Sequence, residues 1–412
     1  MMKGMYDVII IGGGAAGLFL AANITGKNVL LLEGTPRLGK KLLITGGGMC
    51  NLTNNKDTSS FLKHFGNKTQ ANFLKPALLN LTTRQTRLWF ESHGLPLTER
   101  DDGKLFPSCM RAEAVVDLLK GEASRNKVEA KTNAKVISLT KDEQGETYTV
   151  HTEHEQFQAK AVVLTTGGMS YPATGSDGSG FALAKMLGHS IVSPSPALVA
   201  ISVTGYPYTS IAGNSIRESL VEFFHAGDTK RYTLSTGDLL FTHDGLSGPV
   251  ILNNSREIRK GDRMKVSLLP CSNRETLRDD LVELVANNPK KQLYTLLKQE
   301  GIIAHLAERL LESLSLTTQT TCANLTKEKR KDLIELLSAH PFTVSSKKGF
   351  NAAMVTAGGI SLPEVDRKTL ESKIHKGFYF CGEILDIDGD TGGYNLQAAF
   401  STAKLAADAI MK

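Results

Sequence analysis

Along the first 33 residues the hydrophobic pattern changes period twice. Tyr6 to Ile11 (YDVIII) is a β-branched run, Gly12 to Gly17 interrupts it, Leu18 to Ile24 is an apolar stretch, and Asn28 to Leu32 (NVLLL) is a second short run ending at Glu33. Short β-branched runs bounded by glycine predict buried strands, and the apolar stretch between them predicts a helix. Strand, glycine turn, helix, strand and acid within about thirty residues form the βαβ unit that a dinucleotide site needs.

Two helices follow. One starts near Thr82, whose T-x-x-Q spacing to Gln85 is a capping box, and stops at Gly94; the other spans roughly Arg111 to Ala123. Lys127 to Thr140 and Glu146 to His151 predict paired strands, and Ala161 to Leu164 (AVVL) a buried strand running into Thr165-Thr166-Gly167-Gly168. From about Ser193 the pattern turns to a small β unit: SPSPALVAISV, a hairpin around Ala226-Gly227-Asp228, and Met264 to Leu269. Ser272 to Glu275 is an S-x-x-E capping box opening a helical stretch to about His340 (LRDDLVELV, IIAHLAERLLESL, RKDLIELLSAH). After Asn351 glycine turns return, with a short strand from Phe378 to Cys381 and a last helix from about Asn395. The expected organisation is one α/β domain in two parts, 1–192 and 352–412, interrupted by a β-rich insertion at 193–271, a helical one at 272–340 and a return segment at 341–351.

The 412 residues leave ample volume for a large cofactor, and 41% hydrophobic with 22% charged residues is the composition of a globular protein. The net charge of +6 is dispersed rather than gathered into a basic stripe, so nucleic acid is not the expected partner. Cys50, Cys109, Cys271, Cys322 and Cys381 contain no C-x-x-C pair and read as reduced thiols of a cytoplasmic protein. Asp7 and the interrupting glycines argue against a signal peptide over Val8 to Ile24, and no stretch is apolar enough to predict a membrane span.

The chemistry concentrates in the glycine clusters. Gly12, Gly14 and Gly17 fit G-x-G-x-x-G: the first for the tight turn, the second for backbone approach to a pyrophosphate, the third for close packing of helix on strand. Phosphates would meet the positive helix end at Ala15 and Ala16. Glu33, followed by Gly34, is placed to accept hydrogen bonds from an adenosine ribose and to repel a 2'-phosphate. Gly46-Gly47-Gly48 would let a second backbone segment run along the same cofactor, with Asn51 as a polar contact and Cys50 as filler rather than a redox thiol. Lys40 and Lys41 are candidates to neutralise pyrophosphate. Near the C-terminus, Gly382-Glu383 and the helix behind Gly392-Gly393 fit the far end of FAD: a carboxylate for ribityl hydroxyls and a helix N-terminus for charge on the flavin. Asp386, Asp388 and Asp390 resemble a calcium loop, but Thr391 and Gln397 stand where that loop needs Gly and Glu, so no metal site is expected. Gly175 to Gly180 (GSDGSG) has the wrong spacing for a second fingerprint, which leaves NADH or NADPH at most a transient place. His243, in FTHDGLSGP, is the acid/base candidate, against a histidine bonded to its own turn. Tyr171, before Pro172, either lines the substrate site or packs.

GGGAAG, GKKLLITGGGMCNLTN, TTGGMSYPATGSDGSG, FTHDGLSGP, VTAGGISL and FCGEILDIDGDTGGYNLQAAFSTA occur in this order over nearly the whole chain. Together they resemble the bacterial NAD(P)/FAD-dependent oxidoreductase family of aminoacetone-oxidase-like (BaiN-like) flavoproteins. The resemblance implies a two-dinucleotide-fold FAD domain interrupted by a β-barrel-like module and a helical module. It also implies FAD contacts at Gly12, Gly14, Ala16, Glu33, Lys41, Gly47, Asn51, Val136, Thr166, Gly167, Gly382, Glu383, Gly393, Tyr394, Asn395 and Leu396. The family usually carries Arg where this chain has Met49. Some members resemble amine oxidases and others NAD(P)H-dependent reductases of conjugated ketones. The expected activity is therefore hydride transfer between flavin N5 and a small organic substrate or NAD(P)H, with substrate held between the FAD domain and the insertion. Two rival readings are a flavoprotein acting on nucleic acid, as in tRNA modification, and a flavin-bound sensor without turnover. The first is weakened because the helical insertion mixes Glu and Asp among its lysines and has few aromatics.

Overall fold

The structure is a computed structural model that describes residues 5–142, 144 and 146–412. The chain divides into two compact units, Met1–Pro196 with Phe350–Lys412, and Ala197–Gly349.

The first part of the chain opens with β1 (Tyr6–Ile11), α1 (Ala15–Asn23) and β2 (Val29–Leu32). It continues through β3 (Thr53–Asn54), α2 (Thr58–Leu62), α3 (Lys68–Asn80), α4 (Thr83–Ser92), β4 (Leu97–Glu99), β5 (Lys104–Pro107) and α5 (Ala112–Arg125). Then come β6 (Glu129–Lys131), β7 (Val136–Lys141), β8 (Tyr148–Thr152), β9 (Gln156–Leu164), α6 (Ser179–Met186) and β10 (Ile191–Ala197).

The second unit holds β11 (Ile201–Val203), β12 (Ser215–Phe224), β13 (Thr233–Phe241), β14 (Gly245–Ser247), α7 (Pro249–Leu252) and β15 (Arg263–Pro270). Four helices, α8 (Arg274–Ala286), α9 (Leu293–Gln299), α10 (Ala304–Ser313) and α11 (Lys327–Ser338), precede β16 (His340–Lys347). The chain then returns to the first unit with β17 (Val355–Ile360), β18 (Phe378–Phe380) and α12 (Tyr394–Met411).

The main sheet has the order β6-β2-β1-β9-β8-β7, with β18 also paired to β9. The strands from β6 to β9 and β18 run parallel, and β7 and β8 are antiparallel. Parallel strands covered on both faces read as unbroken apolar runs, as in YDVIII and VLLL. Helix α1 is apolar nearly all round because it packs against both α5 and α12; Leu18, Phe19, Leu20 and Ala21 are fully buried. The Phe19 ring lies 4.9 Å from Phe400 and 4.8 Å from Trp89. Each such Leu or Phe burial contributes about 1.5–3 kcal/mol.

In the second unit β11-β14-β13-β12-β15-β16 close into a barrel, so the expected β-barrel-like module is present. Helices α8 to α11 share its hydrophobic core. The cap of α8 corrects the sequence reading: Asn273, not Ser272, is the N-cap, and its side chain accepts from the Glu275 and Thr276 amides. The Thr82–Gln85 box forms as expected. Among the described residues no helix is long and apolar enough to cross a membrane.

Candidate functional site

At the end of β1 the three fingerprint glycines face different surroundings. A Cβ on Gly12 (φ +107°) would lie 2.7 Å from the Thr165 carbonyl oxygen, and one on Gly17 only 1.9 Å from the Gly12 carbonyl oxygen. A Cβ on Gly14 would meet nothing within 4 Å. Gly12 and Gly17 therefore let β1, α1 and the end of β9 close on one another, while Gly14 borders open space. Gly14 is also the N-cap of α1 and provides no side-chain cap, so the helix start presents bare amides, as an anion site requires.

Glu33 is held before any ligand reaches it: Oε2 accepts from the Gly13 amide at 2.8 Å and Oε1 from the Thr35 amide at 2.8 Å. A carboxylate oxygen has a second lone pair, so both remain able to accept from ribose hydroxyls. Gly34 packs closely on the approach to β7, since its Cβ would fall 3.3 Å from that of Lys135. Val136, buried in β7, follows Ala134, whose amide donates to the Glu33 carbonyl at 2.9 Å.

The two lysines both have protein partners. Lys40 Nζ donates to the Ala173 carbonyl at 2.6 Å. Lys41 Nζ donates to Ser170 Oγ at 2.5 Å and to Glu383 Oε2 at 2.7 Å. Glu383 Oε1 accepts from Ser170 Oγ and from the Thr356 amide, both at 2.8 Å. Thr356 Oγ1 in turn accepts from the Met169 and Ser170 amides. Glu383 is thus a fixed carboxylate whose charge Lys41 answers. Ser170 and Thr356 escaped the sequence reading; both lie in quoted motifs, TTGGMSYPATGSDGSG and VTAGGISL, whose glycines drew attention instead.

The second glycine cluster is a left-handed run, with φ +57° at Gly46, +67° at Gly47 and +86° at Gly48. It ends at Cys50, also at positive φ and fully buried, whose thiol burial pushes up to about 12. Such a thiol stays protonated near neutral pH, the behaviour of filler rather than a nucleophile. With its amide oriented to satisfy its neighbours, Asn51 donates to the Thr53 and Leu105 carbonyls and accepts from the Gly393 amide at 3.0 Å. Its side chain therefore staples the glycine loop to β5 and to the start of α12. Gly393 (φ +93°) is the N-cap of α12 and must be glycine, because a Cβ would lie 2.6 Å from the Thr53 carbonyl oxygen. Asn395 bonds across to the backbone of Gly389 and Asp390, shaping the approach to the helix. Leu396 completes the first turn of α12. Gly382 (φ +77°) lets this segment meet α1: its Cβ would fall 2.9 Å from that of Ala16.

Tyr394, buried at the first position of α12, stacks on His64 at 4.1 Å. Burial first, then Asp390 and Asp102, hold its hydroxyl above the usual tyrosine range. His64 Nδ1 lies 3.0 Å from Asp390 Oδ2, and its Nε2 lies 2.8 Å from Lys56 Nζ. Sequence reasoning missed this Lys56–His64–Asp390 array because His64 and Asp390 are 326 residues apart.

Among the described residues, several buried hydroxyls beside these segments have no hydrogen-bond partner: Thr53 Oγ1, Thr166 Oγ1 and Ser176 Oγ. An unmade buried hydrogen bond costs about 1–3 kcal/mol, so such atoms mark where a polar ligand fits. Gly167 (φ +72°) leaves room for Ser176 Oγ, 3.0 Å from where its Cβ would be. The bare start of α1, the opening at Gly14, the fixed carboxylates Glu33 and Glu383 and these hydroxyls fit an extended dinucleotide such as FAD.

Of the two catalytic candidates, Tyr171 belongs to this unit. It is half-buried, at φ +51°, with its amide donating to the Phe350 carbonyl at 3.0 Å. His243 belongs to the unit Ala197–Gly349, exposed on the turn between β13 and β14, with its carbonyl accepting from Thr209 Oγ1 at 2.9 Å.

The HI0933-like protein Rossmann domain family matches residues 6–409. The chain is 33% identical to the 3-dehydro-bile acid delta(4,6)-reductase of Clostridium scindens over 98% of each chain. It is 30% identical to the ribosomal RNA dihydrouridine synthase of Haemophilus influenzae, again over 98% of each. Among solved structures, 3-ketosteroid delta1-dehydrogenase of Sterolibacterium denitrificans shares the fold, with a TM-score of 0.52, 13% identity and 99% of both chains covered.

Proposed function

The chain belongs to the HI0933-like family of FAD-binding, Rossmann-type oxidoreductases, and from that membership we propose that it reduces a carbon–carbon double bond conjugated to a carbonyl, with NADH or NADPH as a transient donor. The observation that carries the reading is the pair of anionic-ligand and carboxylate subsites joined in one cradle: Gly14 and Glu33 at one end, Glu383 with Lys41 and the α12 start at the other. Bound FAD supplies the hydride chemistry. In this reading the α1 amides hold the pyrophosphate, Glu33 the adenosine ribose, and Glu383, oriented by Lys41 and Thr356, the ribityl hydroxyls. Gly393, Tyr394, Asn395 and Leu396 would offer the positive end of α12 to the flavin end of that cofactor. Tyr171 lines the substrate side.

The names of the two relatives support the choice of reaction. A Δ4,6-reductase of a 3-oxo bile acid and a synthase of dihydrouridine both saturate a double bond conjugated to a carbonyl. A uracil ring in ribosomal RNA is therefore a second substrate class for the same chemistry, raised by a relative aligned over nearly its whole length.

Anaerobic mixing tests the reading. NADH or NADPH should bleach the flavin absorbance, and a 3-oxo-Δ4,6 bile acid or a uridine-containing RNA should restore it. Bleaching by amines and not by either nicotinamide would point to an amine oxidase and overturn the proposal. Failure of every donor would favour the sensor reading.

A further inference from the structure

We propose that Arg100 anchors an oxyanion of the substrate, a carboxylate or a phosphodiester, at the edge of the Gly46–Gly48 loop. The hairpin β4–β5 turns tightly at 100–103, with the Arg100 amide donating to the Lys104 carbonyl and the Gly103 amide to the Arg100 carbonyl. This turn lays the Arg100 guanidinium 4.0 Å over the ring of Phe106 and its Nη2 3.6 Å from Met49 Sδ. Phe106 is buried and reaches the glycine loop itself: its Cε1 would lie 3.5 Å from a Cβ on Gly46. The guanidinium is therefore shelved on a ring and a thioether, which hold its plane without neutralising it.

The charge bookkeeping around it is one-sided. Glu99 is engaged by Arg87 and by Asn55, and Asp102 by Lys104 at 2.6 Å. Against the opposing effect of burial, Lys104 holds the Asp102 carboxyl below the usual carboxylate range, and Arg100 adds only a weaker through-space contribution. Asp101 is exposed, and among the described residues Arg100 forms no ion pair. A planar cation with fixed orientation, free donor edges and no carboxylate partner is suited to bidentate recognition of a carboxylate or phosphate. It stands beside the loop that Asn51 ties to the start of α12, so an anion bound there would fix a substrate relative to that cradle.

The inference rests on the proposed reduction of a conjugated double bond, and the test separates the two. Wild-type protein, Arg100→Ala and Arg100→Lys are compared on a 3-oxo-Δ4,6 bile acid and its methyl ester. A second arm uses a uridine-containing RNA oligonucleotide with phosphodiester or neutral methylphosphonate linkages. Each ligand is followed by turnover and by calorimetric binding. For the anionic member of the pair in use, Arg100→Ala should raise KM and Kd about tenfold at unchanged kcat, the signature of lost uniform binding. The neutral member should be unaffected, and Arg100→Lys should recover only part of the loss. Which arm responds identifies the carboxylate or the phosphodiester. Equal effects on charged and neutral partners, or no preference for either anion in the wild-type protein, would overturn the assignment. Discrimination in binding without any reduction would keep the anchor and remove the reaction.

Discussion

Two glycine triplets lie some thirty residues apart in this chain, and they are glycine for different reasons. In Gly12-Gly13-Gly14 and the following Gly17, most positions are crowded by the protein: Thr165, Leu38 and the Gly12 carbonyl fill the space a side chain would take. In Gly46-Gly47-Gly48 the space is largely open and the backbone itself, left-handed three times in succession, excludes other residues. The contrast teaches that one motif is a packing device with a single open position at Gly14, and the other a conformational device.

The contrast can be broken most severely at Gly17. Gly17→Ala places a Cβ 1.9 Å from a carbonyl oxygen, so α1 must move from β1; we expect a loss of about 3 kcal/mol or more in denaturant unfolding, together with loss of bound FAD. A melt indistinguishable from wild type would show the helix free to shift. A change remote from both triplets gives a reference for pure folding effects. Burial lowers the His340 pKa to about 4, from 6.5. Because the folded pKa is the depressed one, the unfolded chain takes up protons first as pH falls. His340 thus contributes stability in full above about pH 6.5 and loses it towards pH 4, roughly 3 kcal/mol in all. His340→Phe should flatten that part of the stability profile of the barrel unit; an unchanged slope would assign it elsewhere. Gly14→Ala sharpens the comparison from the other side. With open space around it, apo stability should shift by less than about 1 kcal/mol, while FAD affinity drops about tenfold or more. Equal losses in both would make Gly14 another packing position. The smallest effect is expected at Gly47→Ala, where only the left-handed backbone resists, at about 1 kcal/mol.

Much of this was legible in the sequence because it is local. The βαβ unit, the Thr82 cap and the hairpin near Gly227 each involve neighbours in the chain, and period and turn chemistry suffice to find them. The sheet β3-β5-β4 was not legible, since β3 is two residues long and its partner lies fifty residues on. The α8 cap was misread because Ser272 and Asn273 both satisfy the rule, and only the folded backbone decides which oxygen meets the amides. For the site, the glycines and the two glutamates stood out, whereas their supports did not. Ser170, Thr356 and Lys41 converge on Glu383 from three distant segments, and no spacing announces that.

The union of Lys41 with Glu383, 342 residues away, bears on the order in which the chain acquires its shape during synthesis. Strand β18 completes the main sheet and α12 covers α1, so the first unit remains open until residues 350–412 have left the ribosome. The barrel unit is continuous in sequence and meets no such delay. Translation would therefore deliver the inserted unit while the first unit still lacks β18 and α12, and a chain released at residue 349 would hold every strand of the barrel but leave Lys41 without Glu383.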